Sequence, residues 1–490
     1  MAQEPNTDKA KSAEDLAAEW ARELIDLRNT ALAPNGSIGL VRRYLRGDHD
    51  LPYMPKKASN EYMTIARNSI TNWLPLISDT FAKNLWVDGY RAKRAADNAR
   101  AWQYWQANKM DARQAIAHRG ALEYGVSYVS VLPGADGRPV ITPLAAHRTY
   151  ALYQEDDDDW PMVALYYRGT DIHGDELYYL WESNRRWDIL VPTRRTRSDS
   201  TRDVDDRGTG SGDLKVLGYE EHPAPYVPWV RFRERLDGTS EGVIKPLIPT
   251  QNRINETVFS AQMALQYAAF RQRWATGMAI PRDTEEYLPD GVTPNPNYGK
   301  PIEPFKAAVD RLWVVEDPEA RFGEFSQTDV TPHIQVYREH VKTLAAIGQV
   351  SPLVMMGDLV NLSADALSSI QDATQRKLRE YETNFGESWE QVFKLAAYMA
   401  GEEFDDEYDA AEVRWRDTEA RSLAATVDAL GKMVQMLHVP AEELWDRIPG
   451  ATDQDVERWR ETARSAESLI HLMDRMSARQ EEPTEDMQDE

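Results

Sequence analysis

Apolar residues recur at helical spacing through Leu16, Trp20, Leu24 and Leu27, behind Ser12 and Asp15 at the spacing of a capping box, so the chain opens on an amphipathic helix. Helical stretches come next over roughly 61–87 and 97–124, the second carrying Trp102, Trp105, Ile116 and Leu122. At Gly125 the period changes. GVSYVSVLPG alternates as a strand, Asp136-Gly137 makes a hairpin turn, and RPVITPL returns. MVALYYRG, DELYYLWE, RRWDILVP, LKVLGYEE and YVPWVRFRE have the same two-residue alternation, so residues 125–236 read as an antiparallel β module. Within it, 198–213 has the composition of a loop.

Pro249 to Thr276 then reads as one helix, roughly 40 Å long at 1.5 Å per residue. Its middle, TVFSAQMALQYAAF, is apolar on nearly every side, interrupted only by Ser260, Gln262 and Gln266. Such a helix must be covered all round: it is the centre of a large core, or it packs between copies of itself. Ala261, Ala264, Ala268 and Ala269 allow close approach. Residues 277–329 are proline-rich, with one strand-like run, RLWVVED. Thr331-Pro332 restarts a helix through HIQVYREHVKTLAAIG, so two long helices flank a small excursion. A Met-, Gly- and Ser-rich loop comes after Gly348, and Ser363 caps a helix to about Ala400 through Ile370, Leu378, Phe385, Trp389, Phe393 and Leu395. The last quarter is helical. One helix runs from Asp417 or Thr418 to Leu437, a short one opens at Pro440, and a third is capped by Thr452 with Asp455 and reaches about Met476. The tail from Gln480 has six acids and no base, the composition of a disordered end.

Composition narrows the function. With 81 acids against 57 Lys and Arg the chain carries a formal charge of −24, which argues against a broad basic clamp on nucleic acid but not against a wall past which DNA slides. Cysteine is absent, which excludes disulfides, thiolate nucleophiles and Cys-based zinc sites and fits a reducing cytoplasm. No 18-residue apolar run is present and the first residues do not resemble a signal peptide, so neither membrane insertion nor export is expected.

Chemical motifs are sparse. Gly238-Thr239-Ser240-Glu241-Gly242 fits G-x-S-x-G, but charged RFRERLD precedes it and Pro246 and Pro249 interrupt the residues after it, so a glycine turn is the better account than a nucleophile elbow. Gly208 to Gly212 lacks the strand–helix context of a phosphate loop, and Pro301 comes after Gly299-Lys300 where a nucleotide-binding loop needs Ser or Thr. The acidic run Glu155 to Asp159 reads as a solvated loop, although at a subunit boundary it would be able to share an ion or an arginine with a neighbour. His333 and His340 lie two turns apart, too far to share a metal. Five arginines fall between Arg185 and Arg197. No catalytic residue, metal site or cofactor is expected.

The order of parts resembles the portal proteins of tailed bacteriophages, closest to siphophage portals of actinobacterial phages. It is carried by LIPTQNRINETVFSAQMALQYAAFRQRWATG, by FGEFSQTDVTPHIQVYREHVKTLAAIGQVSPLVMMGDLVNLSADAL and by EYGVSYVSVLPGADGRPVITPLAAHRTYALYQED. The resemblance implies an α+β fold: a wing over 1–240, a first stem helix over 241–276, a clip over 277–329, a second stem helix over 330–348, a tunnel loop over 349–362, a wing helix and return over 363–416, a helical crown over 417–476 and an acidic tail over 477–490. It further implies a closed ring of twelve at one capsid vertex, in the virion and made in the bacterial host cytoplasm, through which double-stranded DNA is packaged, retained and ejected. Implied partners are the terminase large subunit, major capsid and scaffolding proteins and a head–tail adaptor; no membrane is involved. Val354, Met355, Met356, Gly357, Asp358, Leu359 and Asn361 would line the tunnel, and Phe259, Ala264, Ala268 and Phe270 would pack the stem between subunits. Arg271, Arg273, Arg338 and Lys342, near the stem ends, would touch phosphate or pair with neighbours such as Glu339.

Two other classes fit parts of the pattern. One is another head–tail connector or scaffold ring component, which is usually far shorter and lacks paired long helices. The other is a carboxylate-dependent hydrolase, which would need two carboxylates facing each other across a cleft. The strand–helix repeats of a hydrolase barrel are missing from this sequence.

Overall fold

The computed structural model describes residues 12–54, 60–91, 95–193, 214–238, 240–269, 273–276, 282–289, 291–300, 319, 321–324, 329–357, 364–402, 411–416, 423–448, 451, 455–456 and 458–465. In chain order the helices are α1 (Ala13–Leu32), α2 (Ser37–Leu45), α3 (Asn60–Asn68), α4 (Leu74–Asn84), α5 (Ala95–Ala107), α6 (Met110–Tyr124), α7 (Ile248–Ala269), α8 (Thr331–Ile347), α9 (Pro352–Met356), α10 (Ala364–Met399) and α11 (Leu423–Leu437). The strands are β1 (Val87–Arg91), β2 (Val126–Pro133), β3 (Pro139–Leu144), β4 (Thr149–Leu152), β5 (Val163–Thr170), β6 (Glu176–Trp181), β7 (Arg185–Val191), β8 (Lys215–Glu221), β9 (Trp229–Arg233), β10 (Arg273–Thr276), β11 (Arg321–Glu324) and β12 (Glu412–Trp415). The chain divides into two units: 1–46, 73–248 and 345–490 form the larger, and 47–72 with 249–344 the smaller.

In the larger unit β4 to β8 form an antiparallel sheet in sequence order, and β3-β2-β9 form a second. Two-residue alternation explains how the first sheet is buried on both faces. Val163, Leu165, Leu180, Trp187 and Ile189 meet Ala17, Ala21, Leu24 and Ile25 of α1, whose Ser12–Asp15 capping box is formed. On the opposite face, Ala164 and Trp181 meet Tyr128, Leu144, Val227 and Trp229. Helix α10, 36 residues and about 54 Å long, buries Leu378, Tyr381, Phe385, Trp389, Val392 and Phe393. Trp389 meets Trp105 at 5.0 Å and Phe232 at 4.7 Å between ring centroids, and Phe81 meets Tyr381 at 5.4 Å.

Two expected helices are each divided, and the helix expected over 249–276 ends at Ala269, its last four residues forming a strand instead because they pair with β11. The stretch at 97–124 breaks at Lys109, which adopts φ 55°. Asn108 closes the break by donating to Tyr104 O and Pro139 O and accepting from Ile141 N–H at 2.9 Å, so the interruption fastens α5 and α6 to β3. The stretch at 61–87 splits into α3 and α4, where Pro75 starts a new helix and the chain passes from one unit to the other. Its end becomes β1, which pairs antiparallel with β12 far along the chain; neither strand alternates clearly enough to be read locally. Pro440 leads into a 3-10 helix, Ala441–Arg447. The loop at 198–213, the run RLWVVED, the end of the last helix beyond 465 and the acidic tail lie outside the described residues.

The smaller unit contains α3, α7 and α8, with β10 and β11 paired antiparallel from Arg273↔Glu324 to Thr276↔Arg321. This ladder brings together the two ends of the proline-rich segment.

Candidate assembly and channel surfaces

Helix α7 has an anchored half and a bare half. Gln251 and Asn255 are buried within the smaller unit. Asn255 accepts from Thr71 N–H at 3.1 Å and meets His49 Nδ1 at 2.9 Å, while Gln251 donates to Thr71 O at 2.7 Å and to Asn255 Oδ1 at 3.0 Å. A buried polar network satisfied in this way fixes register, because each group left unpaired would cost about 1–3 kcal/mol. Beyond Glu256 the cover thins. Residues 257–264, including Phe259 and Ala264, are only half-buried, and Leu265 is 53% exposed. The side chain of Ala268, and Phe270 altogether, lie outside the described residues. On α8, Val341 and Leu344 are buried, whereas Ile334 is 52% and Val336 47% exposed. Covering Leu265, Ile334 and Val336 would stabilise by about 1 kcal/mol each. A groove of about 370 Å³ between the two helices is lined by Arg253, Glu256, Thr257 and Ser260 of α7 and by Pro332, His333, Val336 and His340 of α8. Both histidines border it, yet no group of three potential metal ligands exists among the described residues.

Of the four basic residues expected to touch phosphate, Lys342 pairs with Glu339 at 2.7 Å. Arg338 is exposed and has no polar partner among the described residues. The side chain of Arg273, and Arg271 altogether, lie outside them.

The turn after α8 is held at both ends. Gln349 adopts φ 53°, Val350 N–H returns to Ala345 O at 3.0 Å, and Thr374 on α10 donates to Gln349 O at 3.0 Å. Helix α9 comes next and ends at Gly357, whose φ of 72° suits a glycine cap. Met355 is buried in its own chain, Met356 is half-buried and Gly357 is exposed. The side chain of Val354, and Asp358, Leu359 and Asn361 as whole residues, fall outside the described residues.

Ser240 of the G-x-S-x-G run is a strut. Its hydroxyl donates to Gly125 O at 2.6 Å and accepts from Arg235 N–H at 3.3 Å. Gly125 needs to be glycine: its φ is 88°, and a Cβ there would lie 2.2 Å from Ser240 O. The acidic loop is organised by two β9 residues that sequence reasoning passed over. Arg231 donates to the carbonyls of Asp156 (2.6 Å) and Asp158 (3.1 Å), and Arg233 to that of Asp156 (3.2 Å). The side chains of Glu155, Asp156, Asp157 and Asp159 remain exposed. Arg185 and Arg186 stack on Tyr219 and Tyr179, and Arg186 pairs with Glu220 at 2.7 Å, so these members of the arginine run brace their own sheet.

His118 is fully buried and stacked on Phe385, and its Nε2 accepts from Trp389 Nε1 at 2.8 Å. Burial lowers its pKa to about 3. The neutral form is therefore favoured in the folded state, and its stabilisation is complete above the ordinary value near 6.5 and lost below it. Wild type should lose about 1.4 kcal/mol per pH unit below 6.5 relative to His118→Gln, measured by denaturant unfolding. Equal slopes for the two proteins would contradict this. Glu123 acts with the opposite sign, burial pushing it up to about 7, which is why the variant comparison isolates the histidine.

The sequence matches the phage portal protein, SPP1 Gp6-like family over residues 37–469. The chain belongs to that family. Among curated relatives, the portal protein of Mycobacterium phage D29 is 22% identical over 377 residues, 73% of this chain and 71% of that protein. The portal protein of Mycobacterium phage L5 is 20% identical over 374 residues, with the same shares. Among solved structures, a chain from the neck of an empty gene transfer agent particle aligns with a TM-score of 0.45 at 12% identity, covering 82% of this chain and 90% of that one. A chain from a native gene transfer agent virion gives 0.40 at 12% identity, covering 81% and 95%. Both backbone likenesses are loose and carry no weight for function. Portal proteins are structural, in keeping with a site built from packing surfaces. Among the described residues no helix is long and apolar enough to cross a membrane.

Proposed function

We propose that this portal protein forms a closed ring of twelve at one capsid vertex, enclosing the channel through which double-stranded DNA is packaged, retained and ejected. The observation that carries the reading is the bare apolar half of α7 in a chain of the portal family: half-buried over 257–264 and exposed at Leu265, it is covered when sister copies stand beside it. In this reading 1–240 and 363–416 form the wing, α7 (within 241–276) and α8 (within 330–348) the stem, 277–329 the clip, 349–362 the tunnel loop and 417–476 the crown. Arg338 is the stem cation without a partner among the described residues and so the best placed to meet phosphate. Within the tunnel loop, Met356 and Gly357 rather than buried Met355 reach solvent. They offer DNA a surface without directional bonds, so it slides rather than sticks.

The ring's partners are the terminase large subunit, the major capsid and scaffolding proteins and a head–tail adaptor. Energy for DNA movement comes from the terminase, as the portal itself has no catalytic role. Deleting Met355–Asn361 should leave rings intact while cutting packaged or retained DNA at least tenfold, measured as DNA-filled heads in complemented infections. Normal filling would overturn the tunnel assignment.

A further inference from the structure

One region of this acidic chain concentrates positive charge. Arg28 of α1 is 6% exposed; it donates to His147 O at 3.4 Å and lies 4.5 Å from the centre of the Tyr167 ring, and its Nε has no partner. Arg42 on α2, Arg46 at its end and Arg148 beside His147 complete the cluster, because α2 and the turn Ala146–Arg148 both pack on α6. All four guanidinium groups lie near His147, whose pKa is held at about 4, first by burial and then by Arg42, Arg148, Arg28 and Arg46. Glu176 lies near Arg28, but it is engaged by the Tyr178 hydroxyl at 2.7 Å. Arg42, Arg46 and Arg148 form no ion pair with a described residue, although Arg46 is exposed and the other two are half-exposed. Glu176 offsets Arg28 in part, but Arg42, Arg46 and Arg148, clustered without a paired acid among the described residues, are costly unless an anion joins them.

The same unit displays the complement. The Glu155–Asp159 loop has its carbonyls held by Arg231 and Arg233, which leaves four carboxylates facing water on a fixed backbone. The two charge patches stand at opposite ends of the short strand β4, Thr149–Leu152, about 13 Å long. Set in a hydrogen-bonded sheet, they cannot fold onto each other within one chain. A surface with a cationic socket at one end of a strand and an anionic loop at the other is suited to head-to-tail contact, which closes into a ring when the rotation between copies allows it.

We propose that the Arg28, Arg42, Arg46 and Arg148 cluster of one copy receives the Glu155–Asp159 loop of the next. The contact rests on the ring reading and adds to it a specific pair of surfaces away from the stem.

The test exchanges charge in the full-length protein. Arg42→Glu with Arg148→Glu makes one variant, and Asp156→Lys with Asp157→Lys the other; none of these side chains supplies a described structural bond. Each variant alone should form at least tenfold fewer rings by mass photometry at low salt, with unchanged circular dichroism. An equimolar mixture should recover rings, because alternating copies place opposite charges at every boundary, and one chain carrying all four changes should also recover them. Single variants that assemble normally, or a mixture that stays unassembled, would overturn this contact. So would a variant with altered arginines that assembles normally but loses binding to double-stranded DNA, which would make nucleic acid the anion instead. If wild type itself forms no ring, the ring reading falls with it; normal rings from the single variants overturn only this contact.

Discussion

Replacing Ala264 with tryptophan is expected to abolish ring assembly while leaving the isolated chain folded. Ala264 sits on the bare half of α7, half-buried in its own chain and next to exposed Leu265. A large side chain there has room in the single subunit but not between two. Overpacking costs about 1–3 kcal/mol per site, or roughly 5- to 150-fold in each boundary's association constant, and a ring repeats the penalty at every boundary. Light scattering coupled to gel filtration should show the shift from large particle to single chain, with the thermal midpoint moving by no more than a few degrees. Unchanged rings would remove α7 from the boundary. A variant that unfolds would place Ala264 in an intrachain core, against its exposure.

Trp389→Ala is expected to fail in the opposite way, by unfolding the subunit. Trp389 is fully buried among Trp105, Phe232 and His118, and its indole N–H is the donor to His118 Nε2. Removing a buried aromatic costs about 3–5 kcal/mol, and the unpaired imidazole adds about 1–3 kcal/mol. That total approaches the whole stability of an ordinary domain. Trp389→Phe should lose less, since it keeps most of the volume and gives up only the hydrogen bond. Denaturant midpoints check both, and a loss under about 1 kcal/mol for the alanine variant would contradict a core centred on this tryptophan.

Most of this architecture could be read locally, where one periodicity ran without competition. The alternation over 125–236 marked an antiparallel β module, but not its division into two sheets, which depends on the long-range pairing of β2 with β9. The apolar girth of 257–270 is legible in the sequence itself. Tertiary demands hid the rest. Lys109 breaks a continuous helical pattern because Asn108 is needed at β3, and β1 pairs with a strand more than 300 residues away. Arg231 and Arg233 looked like ordinary alternating strand residues, since their work is on backbone carbonyls that no motif records. The basic cluster drew one arginine or pair from each of three elements, so no run of sequence announced it, whereas the conspicuous run from Arg185 to Arg197 begins with residues spent on their own sheet. After α8 the Met pair divided, Met355 into its own core and Met356 toward solvent, a distinction that composition does not carry.

The bare half of α7 is covered, on the reading proposed, by sister copies standing in a circle. Native mass spectrometry of the full-length wild-type protein tests this most directly. A closed species of about 670 kDa is expected, twelve copies of the 56.0 kDa chain. A single 56.0 kDa species persisting at every concentration would contradict it.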